Sequence, residues 1–382
     1  MSIPAYLVAG FIALIVTYAL THEMQWISRR LGAVTQPGGR HIHAHPIPRM
    51  GGLAIFIGVM FGLLFALPID QPIALVREPR YVVLAVPYKP IAGPLLGLLL
   101  GAVAITALGA IDDVRGLPGR VKFPLIYASA AVPVLFGMTT PFMTNPLDGS
   151  VIPLGIVGDV FTALWLGSMA IAMNEIDGVD GLAAGIAAIT AATLLIAAAT
   201  RVDAAMMIVV AAVAGGALGF LRHNFHPARI FMGDSGSMLL GYLLGAAAVQ
   251  GLFKTITALS LVIPLLALAV PILDTGYAIV RRYRNGVSIF LPDRGHLHHR
   301  LLDRGLSQRQ TVLVLYLLSA LLGLGGLAVA GINRIPSLVL LGAIVLALVT
   351  LAWRLGLLRA GPRPAALSDP PGEPVAGTTS TD

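Results

Sequence analysis

The sequence contains no cysteine, and only 11% of its 382 residues are charged. The first absence excludes disulfides, thiolate metal sites and cysteine nucleophiles, although it leaves the redox compartment open. The second excludes an ordinary water-soluble fold, in which about a quarter of the residues are charged. Hydrophobic residues make up 57% of the chain, and the mean hydropathy is +0.87. The composition therefore predicts an all-α polytopic membrane protein.

Long apolar runs mark the predicted transmembrane helices, because a bilayer core about 30 Å thick needs roughly 20 apolar residues per helix. We predict eleven spans, at residues 3–21, 51–68, 91–111, 121–139, 157–173, 181–200, 203–221, 235–252, 257–280, 311–331 and 335–353. The first run has neither a basic segment before it nor a cleavage pattern after it, which favours a retained span. Residues 1–359 are interpreted as one multi-span domain, and residues 360–382 as a disordered tail.

Basic residues are distributed unequally between the two ends of these spans. If the loop after the first span is cytoplasmic, 19 of the 25 Lys and Arg residues lie on the cytoplasmic side. The positive-inside rule then places the N-terminus outside and the C-terminus in the cytoplasm. The predicted location is the cell (inner) membrane.

Five polar clusters interrupt the apolar sequence, at residues 41–52, 112–113, 174–181, 224–237 and 285–300. Each cluster lies in or next to a connection that the predicted topology assigns to the cytoplasm. Structural polar residues would be scattered over both interfaces. Confinement to one side therefore predicts one composite site that opens to the cytoplasm.

Two of the clusters carry paired carboxylates. Asp112 and Asp113 end the third span and point about 100° apart in a helix, so one could bind metal while the other accepts a proton. The alternative is a polar helix terminus with Arg115 as partner. Asp177 and Asp180 lie three residues apart, on one face if helical. Their alternative is an N-cap for the sixth span, which would explain only one of them.

The eighth span opens with F-M-G-D-S-G-S, which places Asp234, Ser235 and Ser237 at a helix N-terminus. Free backbone N–H groups there favour a phosphate, and a carboxylate there can hold Mg²⁺ that bridges phosphate oxygens. An ordinary helix start is the alternative. The upstream residues Asn224, His226 and Arg229 favour a site.

Three histidines, His296, His298 and His299, lie in the cluster of residues 285–300. Their neighbours Arg294 and Arg300 are cations rather than cysteines, so we favour contacts with phosphate over a zinc site.

Other polar residues receive structural interpretations. The histidines of residues 41–45 are predicted to be interfacial rather than metal-binding. Asp274, inside the ninth span, is predicted to form an ion pair with Arg281 or Arg282.

The combined residue types suit phosphoryl transfer, in which carboxylate-held Mg²⁺ and cationic donors stabilise charge while a carboxylate orients the nucleophile. In a membrane protein this chemistry implies a lipid acceptor and a soluble, phosphorylated donor. A transporter is the alternative from another class, and it predicts charges along a path through the membrane. The predicted spans between the clusters are nearly free of charge, and no nucleic-acid partner is expected.

Two motifs resemble the polyprenyl-phosphate N-acetylhexosamine-1-phosphate transferase family, in the branch that makes undecaprenyl- or decaprenyl-diphosphate-linked GlcNAc. They are residues 224–237 (N-F-H-P-A-R-I-F-M-G-D-S-G-S) and residues 271–301, which end in D-R-G-H-L-H-H-R-L. The resemblance extends over roughly residues 30–310. It implies Mg²⁺-dependent transfer of a sugar 1-phosphate, here GlcNAc 1-phosphate, from a UDP-sugar to polyprenyl phosphate, with release of UMP in the cytoplasm. This reaction would be the first membrane step of cell-envelope glycan synthesis.

The resemblance also implies roles for the polar residues. Asp234 would be the principal metal ligand, with Asn174 as a second. Asp112 would be the base for the lipid phosphate, and Asp113 would assist it or bind metal. The remaining assignments are Asp177 and Asp180 at the nucleotide and diphosphate, Asn224 and Phe231 at uracil, Lys122 at the substrate, and His296, His298 and His299 with Arg294 and Arg300 at the phosphates or sugar. Mn²⁺ in place of Mg²⁺ and a homodimer are compatible with the family.

Five positions depart from the family pattern: Thr35, His41 and Ile126 replace a usual Asp, Lys and Gln, Ile171 replaces the first Asn of an N-x-x-N pair, and Glu175 adds an unexpected charge. These changes leave the phosphate machinery intact and bear on the donor sugar. The rival within the same chemistry is the sister enzyme that transfers phospho-N-acetylmuramoyl-pentapeptide. The H-L-H-H-R-L ending favours the simpler-sugar branch.

Overall fold

The computed structural model describes residues 4–36, 46–66, 74–78, 81–85, 93–144, 150–199, 204–250, 262–286, 295–331 and 334–354. Within these ranges the chain forms thirteen α-helices and three two-stranded hairpins. The helices are α1 (Ala5–Arg30), α2 (Gly51–Ala66), α3 (Gly93–Arg115), α4 (Gly119–Leu135), α5 (Ile156–Ile176), α6 (Leu182–Ala199), α7 (Ala204–Asn224), α8 (Gly233–Ala248), α9 (Val262–Ala267), α10 (Ala269–Arg284), α11 (Leu297–Asp303), α12 (Gln308–Gly331) and α13 (Arg334–Arg354). The antiparallel hairpins pair β1 (Val34–Thr35) with β2 (Ile47–Pro48), β3 (Ala74–Glu78) with β4 (Tyr81–Ala85), and β5 (Phe142–Thr144) with β6 (Val151–Pro153).

Six of the described helices are long and apolar enough to cross a bilayer: α1, α3, α5, α6, α7 and α12. Helix α2 and residues Pro336–Thr350 of α13 are shorter apolar helices. Large apolar side chains such as Phe11, Leu64 and Leu135 are exposed, as a lipid environment allows. The protein is a multi-pass α-helical membrane protein, as its composition predicts.

Most helix limits lie within a few residues of the predicted spans, but the ninth span differs. It was predicted as one helix over residues 257–280, whereas the described part contains α9 and α10, separated at Leu268. Pro271 explains the break, because a proline ring clashes with the carbonyl group four residues earlier and α9 ends at that residue, Ala267. Helix α11 and the three hairpins have no counterpart among the elements predicted from the sequence.

Helix α8 forms the centre of the bundle, and every residue from 235 to 248 is buried. Glycines of α2 and α3 pack closely against the backbone of its first turn. A Cβ atom at Gly52 would lie 2.0 Å from the backbone nitrogen of Gly236, and one at Gly109 would lie 2.4 Å from the Cα of Ser235. Any larger residue would push these backbones apart, so the glycines fix the beginning of α8 between its two neighbours.

The polar residues collect where several helices begin or end. Helix α3 ends just after Asp112 and Asp113, α5 ends after Asn174, and α8 begins beside Asp234. Helix α4 brings Lys122 to the same end of the bundle. The site is therefore built on helix termini that the packing of α8 holds in register.

Candidate active site

The carboxylate of Asp113 caps the N-terminus of α8 from the end of α3. It accepts hydrogen bonds from the backbone N–H of Asp234 (2.8 Å), and from both the backbone N–H (3.1 Å) and the hydroxyl (2.8 Å) of Ser235. Gly233 allows this contact, because it has φ +73° and a Cβ atom there would lie 2.5 Å from Asp113 Oδ1. Negative charge is favourable at a helix N-terminus, so Asp113 fixes the position of Asp234.

The neighbouring carboxylate of Asp112 has different partners. Its Oδ1 accepts a hydrogen bond from the backbone N–H of Leu117 at 2.5 Å, and its Oδ2 lies 2.7 Å from Lys122 Nζ. Lys122 Nζ also contacts Asp234 Oδ2. One ammonium group is thus shared between the ends of α3 and α8.

Asn174 completes the contacts of Asp234. Its Nδ2 donates to Asp234 Oδ1 (3.0 Å) and to the hydroxyl of Ser237 (2.9 Å), and its Oδ1 lies 3.3 Å from Lys122 Nζ. Asp112, Asp113, Lys122, Asn174 and Asp234, all identified from the sequence, therefore lie within one contact network. Their individual catalytic and metal-binding roles stay predictions.

Arg49 is a member of the site that the sequence analysis missed. Its guanidinium lies 3.6 Å from Asp113 Oδ1 and 3.9 Å from Asp234 Oδ1, and its side chain is 37% exposed. It was counted only as a cytoplasmic charge. Its position just before α2, in the polar cluster of residues 41–52, is the feature of the sequence that could have identified it as a site residue.

A second group of contacts joins the loop after α5 to the segment before α8. Asp180 Oδ2 accepts hydrogen bonds from His226 Nδ1 (2.8 Å) and from the backbone N–H of Ala228 (3.0 Å). Asn224, 2% exposed, accepts from the backbone N–H of Gly181 and donates to the carbonyl of Ile230, both at 2.9 Å. Both ends of the Asn224 amide are thus bonded to backbone, and its predicted contact with uracil stays a prediction.

Phe231 is tied to the start of α2 through its backbone. Its N–H donates to the carbonyl of Pro48 (2.8 Å), and its carbonyl accepts from the N–H of Gly51 (3.0 Å). The segment before α8 is therefore held against the β2 strand and α2. The predicted contact of Phe231 with uracil is likewise untested.

His296 lies between two carboxylates. Its Nδ1 is 2.8 Å from Asp274 Oδ2, and its Nε2 is 3.1 Å from Glu175 Oε2. Burial lowers the pKa of His296, but the bonds to Asp274 and Glu175 outweigh it and raise the pKa to about 9. Asp274, predicted to pair with Arg281 or Arg282, instead accepts from His296 and from the backbone N–H of Leu297 (2.7 Å).

His298 is 2% exposed and stacks on His296 with ring centroids 5.7 Å apart. Its Nε2 is buried without a hydrogen-bond partner, and it lies against Gly178, where a Cβ atom would come within 2.7 Å of it. Burial, followed by the neighbouring charge of His299, lowers the pKa of His298 to about 3. A neutral imidazole with an unpartnered nitrogen is therefore placed beside the loop after α5.

The other described residues predicted to contact phosphate or sugar have partners within the protein, and their contacts with substrate stay predictions. The ring of His299 lies 4.3 Å from that of His298. Arg300 donates to the hydroxyl of Tyr277 (2.9 Å) and, more weakly, to the carbonyl of Gly295 (3.3 Å). Arg294 and residues 41–45 lie outside the described residues.

Asp177 lies in the turn between α5 and α6, close to the carboxylates of α3 and α8. Burial, and then the negative charges of Asp234 and Asp113, raise the pKa of Asp177 to about 8. Asp177 is therefore mostly protonated near neutral pH. It adds little negative charge to the site unless a cation is present.

The carboxylates suit a divalent cation of the Mg²⁺ type. Such an ion is bound in proteins by one or two carboxylates together with substrate phosphates and water. In the described ranges, no group of three or more His, Asp or Glu side chains is arranged to hold a metal alone. One or two carboxylates that act together with substrate phosphates are nevertheless present. Asp112 and Asp234 already flank one cation, Lys122, and the amide oxygen of Asn174 lies beside them.

Comparison with known proteins identifies the family. The sequence model of glycosyl transferase family 4 matches residues 95–252. A probable undecaprenyl-phosphate N-acetylglucosaminyl 1-phosphate transferase from Bacillus subtilis (strain 168) is 36% identical over 351 residues, which are 92% of each sequence. The chain belongs to the polyprenyl-phosphate N-acetylhexosamine-1-phosphate transferases of glycosyl transferase family 4.

Two further relatives of this transferase family are similar over most of the chain. A decaprenyl-phosphate N-acetylglucosaminephosphotransferase from Mycobacterium tuberculosis (strain ATCC 25618 / H37Rv) is 39% identical over 376 residues, covering 92% of this chain and 89% of the relative. An undecaprenyl-phosphate alpha-N-acetylglucosaminyl 1-phosphate transferase from Escherichia coli (strain K12) is 26% identical over 326 residues, or 84% and 83% of the two sequences. The resemblance inferred from the two motifs is confirmed.

The departures from the transferase family pattern lie at different depths in the fold. Ile126 is 1% exposed and packs in the apolar core, so it does not present a polar group to the site. Thr35 pairs with Ile47 in the first hairpin. Glu175, in contrast, contacts one of the predicted site residues: its carboxylate lies 3.1 Å from His296 and also 3.6 Å from Arg282.

Proposed function

We propose that this protein transfers GlcNAc 1-phosphate from UDP-GlcNAc to polyprenyl phosphate, giving polyprenyl-diphosphate-GlcNAc and UMP. The observation that carries the proposal is the network in which Asp113 caps α8 while Asp112, Lys122 and Asn174 contact Asp234 or its partners. Relatives named as GlcNAc phosphotransferases cover about nine tenths of the chain. The reaction would begin the membrane stage of cell-envelope glycan synthesis.

In this reaction an oxygen of the lipid phosphate attacks the β-phosphorus of the UDP-sugar. A new phosphorus–oxygen bond forms, the bond from that phosphorus to the bridging oxygen breaks, and UMP leaves with the bond's electron pair. The second pKa of a phosphate monoester is near 6, so the nucleophile needs little deprotonation at neutral pH. Asp112, at the end of α3, is the carboxylate that we assign to accept the proton where one remains.

The side chains around Asp234 have different tasks. Lys122 and Arg49 flank the carboxylates and offer donors for the phosphate oxygens of either substrate. Asp113 orients the first turn of α8 and so places Asp234. Neutral His298 offers its free nitrogen to the donor beside Gly178.

We assign Mg²⁺, which Mn²⁺ could replace, to Asp234 and Asn174. When bound, the ion would neutralise phosphate charge and act as a Lewis acid. Three carboxylates, Asp112, Asp113 and Asp234, face two cations, Lys122 and Arg49, so the cluster has an excess of negative charge that favours such an ion. Hard oxygen donors from carboxylate and amide groups also match the preference of Mg²⁺.

The proposal includes eleven spans in a domain of residues 1–359, with the N-terminus outside and the C-terminus in the cytoplasm. Residues 360–382, predicted from the sequence to be a tail, lie outside the described residues. The site would face the cytoplasm across the inner membrane, where the soluble UDP-sugar is available. A homodimer is included because the family favours it. The absence of cysteine permits a test of orientation, since Asp303→Cys, at the exposed C-terminal end of α11, should react with a membrane-impermeant maleimide only in inside-out vesicles.

The reaction itself is tested by UMP release from purified protein in nanodiscs with Mg²⁺, polyprenyl phosphate and a panel of UDP-sugars. UDP-GlcNAc should be the preferred donor. Asp234→Asn should lower the rate by about a hundredfold or more, because it removes the charge that we assign to the metal ion at the phosphates. Asp159→Asn, at the opposite end of α5, is the matched control and should keep the wild-type rate. An active Asp234→Asn enzyme would refute the metal role, and a wild type that releases no UMP would refute the reaction.

A further inference from the structure

Glu175 is a charged residue for which the proposed reaction has no use. It lies next to Asn174 in the last turn of α5, yet its carboxylate contacts His296 and Arg282 rather than the network around Asp234. Its Oε2 is 3.1 Å from His296 Nε2 and 3.6 Å from the guanidinium of Arg282. Glu175 therefore connects the helix that carries Asn174 to the start of α11.

The geometry requires His296 to be an imidazolium. Both ring nitrogens face carboxylates, Nδ1 towards Asp274 and Nε2 towards Glu175, and carboxylates only accept hydrogen bonds. A neutral imidazole has one N–H and could satisfy one of them. With Arg282 the group contains two positive and two negative charges, which is the balance that buried ions need.

The imidazolium sets the position of α11. The backbone N–H of Leu297 is bonded to Asp274, and the ring of His298 is parallel to that of His296 within 5°. His298 in turn lies against Gly178, one residue after Asp177. The contact from Glu175 to His296 is thus the first link of a chain that ends at the unpartnered nitrogen of His298.

We propose that Glu175 is a positioning residue, which through His296 holds His298 beside Gly178, ready to contact the phosphate or sugar of the donor. This inference rests on the proposed function. Glu175 itself touches neither substrate nor metal. Its effect reaches the donor only through the orientation of α11.

The charged and titratable groups around His296 come from three elements. Glu175 lies on α5, and Asp274, Arg281 and Arg282 lie on α10. His298, His299 and Arg300 lie on α11, which begins directly after His296. Removing the charge of Glu175 would leave one carboxylate against the positive Arg282. The pKa of His296, raised to about 9 in the intact group, must then fall.

The direct test is the titration of the His296 ring by NMR, in histidine-labelled protein in nanodiscs. The resonance is assigned by its loss in His296→Gln. In Glu175→Gln the titration should move down by about one pH unit or more, because one of two carboxylate partners has lost its charge. Asp159→Asn removes a charge from the far end of the same helix and should leave the titration unchanged.

The functional test compares the pH dependence of UMP release in the same variants. The imidazolium contacts are present below the pKa of His296 and are lost as the pH rises through it. Glu175→Gln should therefore keep most of its kcat/KM at about pH 7 and lose about threefold relative to wild type at about pH 8.5, as a fall of about one unit in the pKa of His296 implies. Recovery on acidification separates positioning by charge from a general loss of folding.

Each outcome decides a different claim. An unchanged His296 titration in Glu175→Gln would overturn the link between these residues. A shifted titration with an unchanged pH–rate profile would overturn the positioning role while leaving the proposed reaction intact. A wild-type protein that releases no UMP would defeat the proposed function, and with it the role of Glu175, whatever the NMR titration gives.

Discussion

Lys122 Nζ lies 2.7 Å from Asp112 Oδ2 and also contacts Asp234, so one ammonium group joins carboxylates from α3 and α8. Lys122→Met would leave these partly buried charges without their partner. We expect thermal stability to fall by about 3 kcal/mol and UMP release to be lost. Mg²⁺ should raise the unfolding temperature of this variant more than that of wild type, because the carboxylates then depend on the added cation.

Arg120→Met is the matched control for this change, since Arg120 is an exposed cation on the same helix. Thermal unfolding in Mg²⁺ and in EDTA gives the comparison. Equal Mg²⁺ responses of Lys122→Met and wild type would contradict the shared-cation arrangement.

The adjacent aspartates of α3 should give different phenotypes. Asp113→Asn replaces one of two acceptor oxygens with a donor that faces the N–H or hydroxyl groups at the start of α8. We expect a loss of about 2 kcal/mol in stability, measured as a lower unfolding temperature. Asp112→Asn keeps the acceptor for Leu117 and should lose activity with a smaller loss of stability. A reversed order would show that Asp113 does not cap α8.

Gly178→Ala should impair the enzyme through steric contact alone. The new Cβ atom would lie 2.7 Å from His298 Nε2, so His298 must move away from the turn after α5. We expect the KM for the UDP-sugar to rise about tenfold or more, since positioning errors of this size are costly. Gly276→Ala on α10 is the control, because no heavy atom lies within 4 Å of the point that its new Cβ atom would occupy. Wild-type kinetics in Gly178→Ala would remove His298 from the donor site.

Asp177 predicts a pH dependence of stability in EDTA-treated protein. Its folded pKa of about 8 lies above the ordinary value of 3.8, so the folded state binds a proton that the unfolded state releases. Stability should therefore fall as the pH rises towards about 8 and level off above it. Asp177→Asn should flatten this decline in unfolding temperature. An identical pH dependence in the variant would assign the decline to another group.

Helix limits and the composition of the site could be predicted from local sequence. Apolar run length locates α2 to α8 within a few residues, and Asp112 and Asp113 diverge as adjacent helical residues must. The network of Asp112, Asp113, Lys122, Asn174 and Asp234 joins polar residues that the sequence places at the ends of the predicted apolar spans.

The partners within the site could not be predicted, because they depend on tertiary packing. Asp274 is two turns from Arg281 and Arg282, which suggests a local ion pair, but the chain returns at α11 and brings His296 to it. Arg49 reaches Asp113 only because α2 packs beside α8. Glu175 could be recognised as unusual, but its partner lies more than a hundred residues away along the chain.

Burial of α8 from Ser235 to Ala248 has a consequence for how the protein loses activity on heating or in detergent. The helix that carries Asp234 is also among the segments least exposed to solvent, so its amides should exchange hydrogen only through the largest opening events. Heat or detergent should then inactivate the protein in the same step that dismantles the bundle, leaving no folded but inactive intermediate.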